Sequence, residues 1–477
     1  MHETWRHTSV KKMARQVMRG SIAMAGAQAV ANIASFAIVW AVARGLGDES
    51  YGIFAAAYAL ATSVASLADS GVRMALVREV ARTPTTWRRL WAYALGSSLI
   101  LSIIVAAVFV GLILFVETLA SQELRFWLLG YALLWTMMRI TLGVPAGHHR
   151  LISVALWGAW ERLAGAVLVA WLVFTDGTTL LILAQALCLL EAVILILLTL
   201  WIFLQKFPED ASLKTHPKDF IKIAVPFGVS AAAFAIMGRL DLIVLGFQQP
   251  PDVVGHYASA QLLAMIGVFV GIAAANALFP TLSQLGKTKD VAQSRRLIRP
   301  ALGLLSLLMV ALAMVVSSIA EDLLAYVYGD DFKLGAPWLI LFALMAPIVA
   351  INSMAGSVIG AWGWQAKWAK FLWQLLPVII LFYGLAGLFN SIWGIALVGI
   401  GSQIVMALMA WRWMSREGIV DMDWLWRLML LLLMAGILFW GLPQHMHWVL
   451  IPVSIVGVFA IGICRVSWIK VALRVVR

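Results

Sequence analysis

Fourteen apolar runs, each eighteen residues or longer, follow one another along this 477-residue chain with only short polar breaks between them. A run of that length with few charges spans the hydrocarbon core of a bilayer as a helix, where each backbone N–H and C=O must be satisfied within its own segment. The runs predict helices over 20–43, 51–72, 90–116, 124–147, 151–174, 178–204, 220–247, 254–280, 297–319, 336–361, 366–389, 391–414, 424–441 and 447–464. Composition agrees, with 63% hydrophobic and 12% charged residues. No soluble surface carries so much apolar area, so a soluble enzyme, a disordered chain and a disulfide scaffold are excluded. Cys188 and Cys464 both lie in apolar runs without metal or redox spacing. No cleavable signal peptide is expected, because the first run, Gly20 to Val42, is long enough to span and lacks a cleavage site.

The charge in the breaks alternates. With a cytoplasmic N-terminus, the outer loops carry Asp48, Glu49, Glu117, Glu123, Asp176, Asp252, Glu321, Asp322, Asp330 and Asp331, offset only by Arg44, Arg125 and Lys333. Of the 35 Lys and Arg, all but those three and the embedded Arg139, Arg162 and Arg239 fall on the other side. That asymmetry predicts an even number of spans with both termini cytoplasmic. The net charge of +12 is thereby assigned to membrane orientation, and no nucleic-acid partner is expected. In residues 1–19, Val10, Met13, Ala14 and Val17 share one helical face, which suits either an interfacial helix on anionic membrane lipids or a flexible basic tail. Trp87, Trp91, Trp127, Trp338, Trp424, Trp448 and Trp468 fall at span ends, where belt anchoring is expected. Trp157, Trp160, Trp171, Trp362, Trp364, Trp368 and Trp373 are assigned to packing and anchoring rather than to sugar stacking.

An internal echo sets the domain reading. Gly52-Ile-Phe-Ala-Ala-Ala-Tyr-Ala-Leu60 aligns with Gly255-His-Tyr-Ala-Ser-Ala-Gln-Leu-Leu263. Each stretch follows an acidic break, and six helices separate them, so the copies enter the membrane in the same sense. The expected architecture is an all-α polytopic membrane protein of about 14 transmembrane helices. It has two six-helix lobes in parallel repeat around a central cavity, an N-lobe over 20–206 and a C-lobe over 220–414, joined by a cytoplasmic linker over 207–219. Residues 415–477 supply a C-terminal helix pair and a cytoplasmic tail.

Seven ionisable residues fall inside the runs: Asp69, Arg139, Glu161, Arg162, Glu191, Arg239 and Asp241. Each costs about 2.5–3.5 kcal/mol at mid-helix on insertion scales, so each needs a partner or water. Asp69 and Arg73 are placed for a structural i,i+4 pair. Glu161 and Arg162 are roughly 100° apart on a helix and are expected to find partners elsewhere. Arg239 and Asp241 are expected on opposite sides of their helix, with Arg239 toward the cavity. Glu191 is either a proton carrier or a partner for Arg162. Gln28, Asn32, Asn276 and Asn352 either line the same space or bond helix to helix. No P-loop, HExxH, GxSxG or paired-carboxylate loop occurs, so the chain is expected not to be an enzyme and to carry no cofactor and no metal; His148-His149 is too weak a pattern for a metal site.

The stretch Arg44-Gly-Leu-Gly-Asp-Glu-Ser-Tyr-Gly-Ile-Phe-Ala, followed by Ala68-Asp-Ser-Gly-Val-Arg-Met-Ala-Leu-Val-Arg78, resembles the polysaccharide transporter family. Its members include Wzx-type flippases for lipid-linked O-antigen and exopolysaccharide units, within a superfamily that also holds MATE exporters and the lipid II flippase. The resemblance implies a multi-pass protein of the bacterial inner membrane. It would translocate polyprenyl-pyrophosphate-linked oligosaccharide units to the outer leaflet by alternating access, for O-antigen, lipopolysaccharide or exopolysaccharide biosynthesis. Only Gly47, Tyr51, Gly52, Asp69, Gly71, Arg73 and Arg78 map onto its motif, with a role in shaping the first helical hairpin. A wet groove for such a substrate is expected to take its pyrophosphate contacts from Arg139, Arg162 and Arg239, with Glu161, Glu191 and Asp241 as candidates for ion coupling. Expected partners are the lipid-linked oligosaccharide, anionic lipids and a polysaccharide polymerase, and the chain is expected to act as a monomer. The alternatives are an ion-coupled exporter of organic cations, disfavoured by the embedded arginines, a lipid II flippase, and a non-transporting scaffold.

Overall fold

The computed structural model describes the backbone of residues 2–69, 71–114, 121–175, 177–208, 220–221, 224, 228, 232–233, 236–441 and 447–464. Side chains within these are described from residue 26 onward, except 106–114, 122, 277 and 280. The amphipathic face expected in 1–19, Glu117, Asp176, most of the 207–219 linker, Trp468 and the tail beyond 464 lie outside the described side chains. Among the described residues every long element is helical, and eleven segments are long and apolar enough to cross a membrane. The chain divides into two compact units, Met1–Pro251 and Asp252–Arg477.

The first unit opens with α1 (His2–Asp69), followed by α2 (Val72–Arg82), a 3-10 turn at Pro84–Thr86, and α3 (Trp87–Leu114). Then come α4 (Gln122–Thr141), the one-turn α5 (Gly143–Gly147), α6 (Leu151–Val173), α7 (Leu180–Leu204) and α8 (Leu240–Gln248). Two departures from the sequence reading stand out. The expected outer loop at 44–50 is helical on both sides of a single break at Gly47 (φ 82°, ψ 177°). The Leu and Glu around it are good helix formers, and only glycine enters that backbone region without strain. The expected span at 220–247 is interrupted, because residues 238–239 form a turn and Arg239 becomes the N-cap of α8.

The helices end where their sequences supply caps. Ser121 accepts from the Leu124 N–H to start α4, and Thr179 accepts from the Ile182 N–H to start α7. Small residues then permit close packing on α1. Gly165 of α6 faces the Ile38 methyl, and a Cβ at Gly45 would fall 2.0 Å from Val173. Gly130 of α4 lies against the Cys188 sulfur of α7. Trp87 is a correction to the belt expectation: it is 1% exposed and packs on Phe203 and Phe207. Trp338 is likewise buried, against Tyr257 and Trp393. Their large apolar rings fill the interior more favourably than they would anchor a headgroup region.

The second unit comprises α9 (Pro251–Thr288), α10 (Val291–Ser318), α11 (Ala320–Tyr328), a 3-10 turn at Asp330–Gly335, α12 (Ala336–Ala361), α13 (Gln365–Leu388), α14 (Ile392–Arg416), α15 (Met422–Gly441) and α16 (His447–Ala460); the first residue of α9, Pro251, falls on the boundary. The acidic break at 320–335, expected as loop, is therefore largely helical, while the last apolar run yields only a 14-residue helix closed by Gly462 at φ 72°. The core of this unit joins α10, α12, α14 and α15 around Met309, Ile351, Trp411 and Leu428. Asn352 donates to the Gln403 carbonyl (2.9 Å) and side chain (3.0 Å), a helix-to-helix bond between α12 and α14. Phe54, Ala55, Ala57 and Leu60 in one unit and Tyr257, Ala258, Ala260 and Leu263 in the other are all buried, so the two copies of the echo play the same packing role.

Candidate functional site

Five of the seven embedded charges converge in the first unit. On α4, Tyr131, Trp135 and Arg139 recur every fourth residue and so share one face. Next to that face stand Tyr58 and Asp69 of α1, Glu161 and Arg162 of α6, and Glu191 of α7. Arg162 Nε lies 3.3 Å from Glu161 Oε1, and its guanidinium reaches the Tyr58 hydroxyl as a hydrogen-bond donor. This corrects the expectation that these neighbours find partners elsewhere. The 100° between their Cα–Cβ bonds constrains the stems, but the long arginine side chain lets its head swing back to the carboxylate. Arg139 Nη2 lies 3.5 Å from Asp69 Oδ2, and Arg73 Nε lies 3.7 Å from the same oxygen. The expected Asp69–Arg73 pair is thus present, but Asp69 serves a second arginine on another helix. The guanidinium carbons of both Arg139 and Arg162 sit 4.9 Å from the Trp135 ring centroid. Such a contact contributes about 0.5–1 kcal/mol where the cation is exposed and about 2 kcal/mol or more where it is desolvated.

Three arginines and three carboxylates therefore form one connected group, and its contacts are loose. None is bidentate, and Asp69 Oδ1, Arg73 Nε and Glu191 Oε1 are buried without a hydrogen-bond partner. Glu191 is 2% exposed. It shares a void of about 10 Å³ with Tyr131, Glu161 and Arg162, space for one water at most. The space beside Arg162 is thus narrow rather than a roomy vestibule. Arg139, 34% exposed, is the more open guanidinium.

Arg239 and Asp241 are not part of the group. Arg239 is exposed at the head of α8, near Tyr51. Asp241 is buried in the first turn of α8, where its Oδ1 accepts from the Leu242 N–H at 2.8 Å. Of the motif residues, Tyr51 is buried, and Gly47 and Gly71 both adopt positive φ, as chain breaks at the ends of helical segments require. Tyr58, Tyr131 and Trp135 escaped the sequence reading. The signal for Tyr131 and Trp135 was the i, i+4, i+8 stripe ending on Arg139, which looks like ordinary core until its charged neighbours are known. No group of three His, Cys, Asp or Glu able to hold a metal occurs among the described residues. His148 instead stacks on Phe207 at 4.1 Å.

These features define a polytopic all-α membrane protein with a charged group buried inside one helical unit, and its fold is that of transporters. It matches the lipid II flippase MurJ in an inward closed conformation (TM-score 0.68, 13% identity, 92% of this chain and 98% of that one). An inward-facing MATE multidrug resistance transporter of the MOP superfamily also matches (0.64, 18%, 84% and 99%). So does a MOP superfamily transporter from Pyrococcus furiosus described as having a binding pocket of reversed polarity (0.57, 17%, 85% and 95%). No curated protein sequence matches the chain. Residues 17–286, more than half of the length, match the family described as polysaccharide biosynthesis protein. The chain belongs to that family.

Proposed function

We propose that this protein is a flippase that carries polyprenyl-pyrophosphate-linked oligosaccharide repeat units from the cytoplasmic to the outer leaflet of a bacterial inner membrane by alternating access. The fourteen-span, two-lobe organisation with cytoplasmic termini, and use in O-antigen, lipopolysaccharide or exopolysaccharide assembly, belong to the same proposal. The observation that supports it most directly is that Arg139 and Arg162 both stand over the Trp135 ring, each at 4.9 Å from its centroid. Two guanidiniums held by single, loose carboxylate contacts suit the exchange of those carboxylates for a pyrophosphate, which arginine can bind bidentately. An inside-negative potential favours outward movement of that anion by about 2.3 kcal/mol per charge per 100 mV, so ATP is not needed in principle. Arg239, apart from this group, supplies a second point of positive charge, and Glu161, Glu191 and Asp241 are the groups proposed for ion coupling.

The test is translocation of a fluorescent lipid-linked oligosaccharide in proteoliposomes by wild type, Arg139→Ala and Arg162→Ala. Loss of flipping in both variants is expected. Equal flipping by all three overturns the arginine assignment. Cation efflux without flipping by wild type replaces the reading with an exporter of organic cations, and flipping of lipid II alone changes the substrate.

A further inference from the structure

The second unit contains a larger cavity that the transport reading does not use. It has a volume of about 450 Å³ and lies where the start of α10, the end of α14 and the start of α15 meet. Those three ends belong to candidate spans of the same unit, so the cavity sits at one membrane–water interface. Arg295, Arg296, Arg299 and Arg427 line it together with Asp421 and Asp423, an excess of two positive charges.

The walls are held in place. Asp421 accepts from Arg295 at 3.0 Å and also from Arg299. The Trp411 indole donates to the Asp421 carbonyl at 2.9 Å, and Trp424 donates to the Ile463 carbonyl at 3.0 Å. The two rings stack at 4.9 Å and 8°. Arg427 donates one N–H to the Ile461 carbonyl at 3.1 Å, which leaves most of its fork uncommitted. Arg296 is exposed and makes no ion pair with a described residue. Preset, incompletely paired guanidiniums around a concave space are the chemistry of phosphate recognition.

We propose that this pocket binds the phosphate of an anionic membrane lipid. Its position favours a lipid over a soluble phosphate, because at an interface the abundant phosphate is a headgroup. The surface below it agrees. On α15, Asp423 and Arg427 continue at helical spacing into exposed Leu430, Leu433, Met434 and Ile437. A polar head in the pocket would therefore lay its acyl chain along an apolar stripe of the same helix.

The experiment uses the full-length protein in neutral detergent, with native mass spectrometry and melting curves in the presence of phosphatidylglycerol, phosphatidylcholine or inorganic phosphate. Wild type is expected to retain phosphatidylglycerol in preference to phosphatidylcholine and to melt at a higher temperature with it. Arg296→Glu and Arg427→Gln are each expected to weaken that retention about tenfold or more. Arg89→Gln, which removes an exposed charge in the other unit, is expected to leave it unchanged. Arg296→Glu alters an exposed side chain, so its melting temperature without lipid reports that the fold is intact. Equal retention by wild type and both pocket variants overturns the site. Binding of inorganic phosphate with no preference for the anionic lipid overturns the lipid assignment.

Discussion

Asp69 is the joint on which the buried charge group turns, and a double-mutant cycle with Arg139 measures how much it contributes. Its Oδ2 faces Arg139 at 3.5 Å and Arg73 at 3.7 Å, with only 15% of the side chain exposed. Removing one partner of a fully buried pair costs about 3–5 kcal/mol. Two features lower that figure. Arg139 is 34% exposed, so water shields it once its partner is gone, and the Trp135 face continues to hold the cation. We expect Asp69→Asn to destabilise the fold by about 1–2 kcal/mol, with a coupling of about 1 kcal/mol to Arg139→Gln. At about 2–4 °C per kcal/mol for a unit of this size, the melting temperature should drop by about 2–8 °C. The assay is thermal unfolding of wild type, both single variants and the double variant in one detergent. Arg73→Gln serves as the reference, since its Nε stands farther from the shared Asp69 oxygen, at 3.7 Å against 3.5 Å, and a longer ion pair contributes less. A coupling below about 0.3 kcal/mol would refute the reasoning, because sites that do not interact add within that error. So would a larger loss from Arg73→Gln than from Arg139→Gln.

Gly286→Ala should destabilise by about 1–3 kcal/mol or more, read as a lower melting temperature, because its Cβ would fall 2.3 Å from the Ala361 carbonyl oxygen. Gly96→Ala, which meets nothing within 4 Å, should hold or raise stability by up to about 1 kcal/mol. Glu191→Gln keeps the shape of a carboxyl whose Oε1 has no hydrogen-bond partner. It should leave melting unchanged while abolishing any response of flipping to an imposed pH gradient, and an unaltered response removes Glu191 from the coupling candidates. For His148, outside the spans, burial first and the charges of Arg150 and His149 second push the imidazole below its usual value. The unfolded chain takes up this proton below about pH 6.5 while the fold resists it until lower pH. Stability from this group is therefore full above about 6.5 and declines as pH falls toward the folded value. Melting temperatures between pH 8 and 5 should show that decline in wild type and a flatter profile in His148→Phe.

How much of this was legible in the chain depends on which interactions run along it. Helix positions were readable because hydrocarbon permits only self-satisfied backbone over a long apolar run, and the reading failed where one residue decides. Gly47 breaks a stretch whose polar composition imitates a loop, and Gly238-Arg239 breaks one whose apolar composition imitates a continuous span. The charge group shows the same division more sharply. The Asp69–Arg73 contact is local and was read directly, whereas Asp69–Arg139 joins α1 to α4 and has no signature in either segment. Counting arginines therefore suggested a cationic surface, while three-dimensional neighbours supply Asp69, Glu161 and Glu191 and make the group close to neutral. That balance changes what the proposed mechanism requires. A pyrophosphate cannot settle on bare guanidiniums, and it must displace Asp69 from Arg139 or Glu161 from Arg162. Each displaced carboxylate must then take up a cation, find water or move. Anion entry and carboxylate release become one event, so a substrate that binds without releasing them gains little, and a proton offered to Glu161 or Glu191 helps the arginines change partners. On this argument Glu161→Gln should tighten binding of a pyrophosphate lipid and slow its release, the opposite of Arg162→Ala. Weaker binding by both variants would show that the carboxylates position the arginines rather than compete for them.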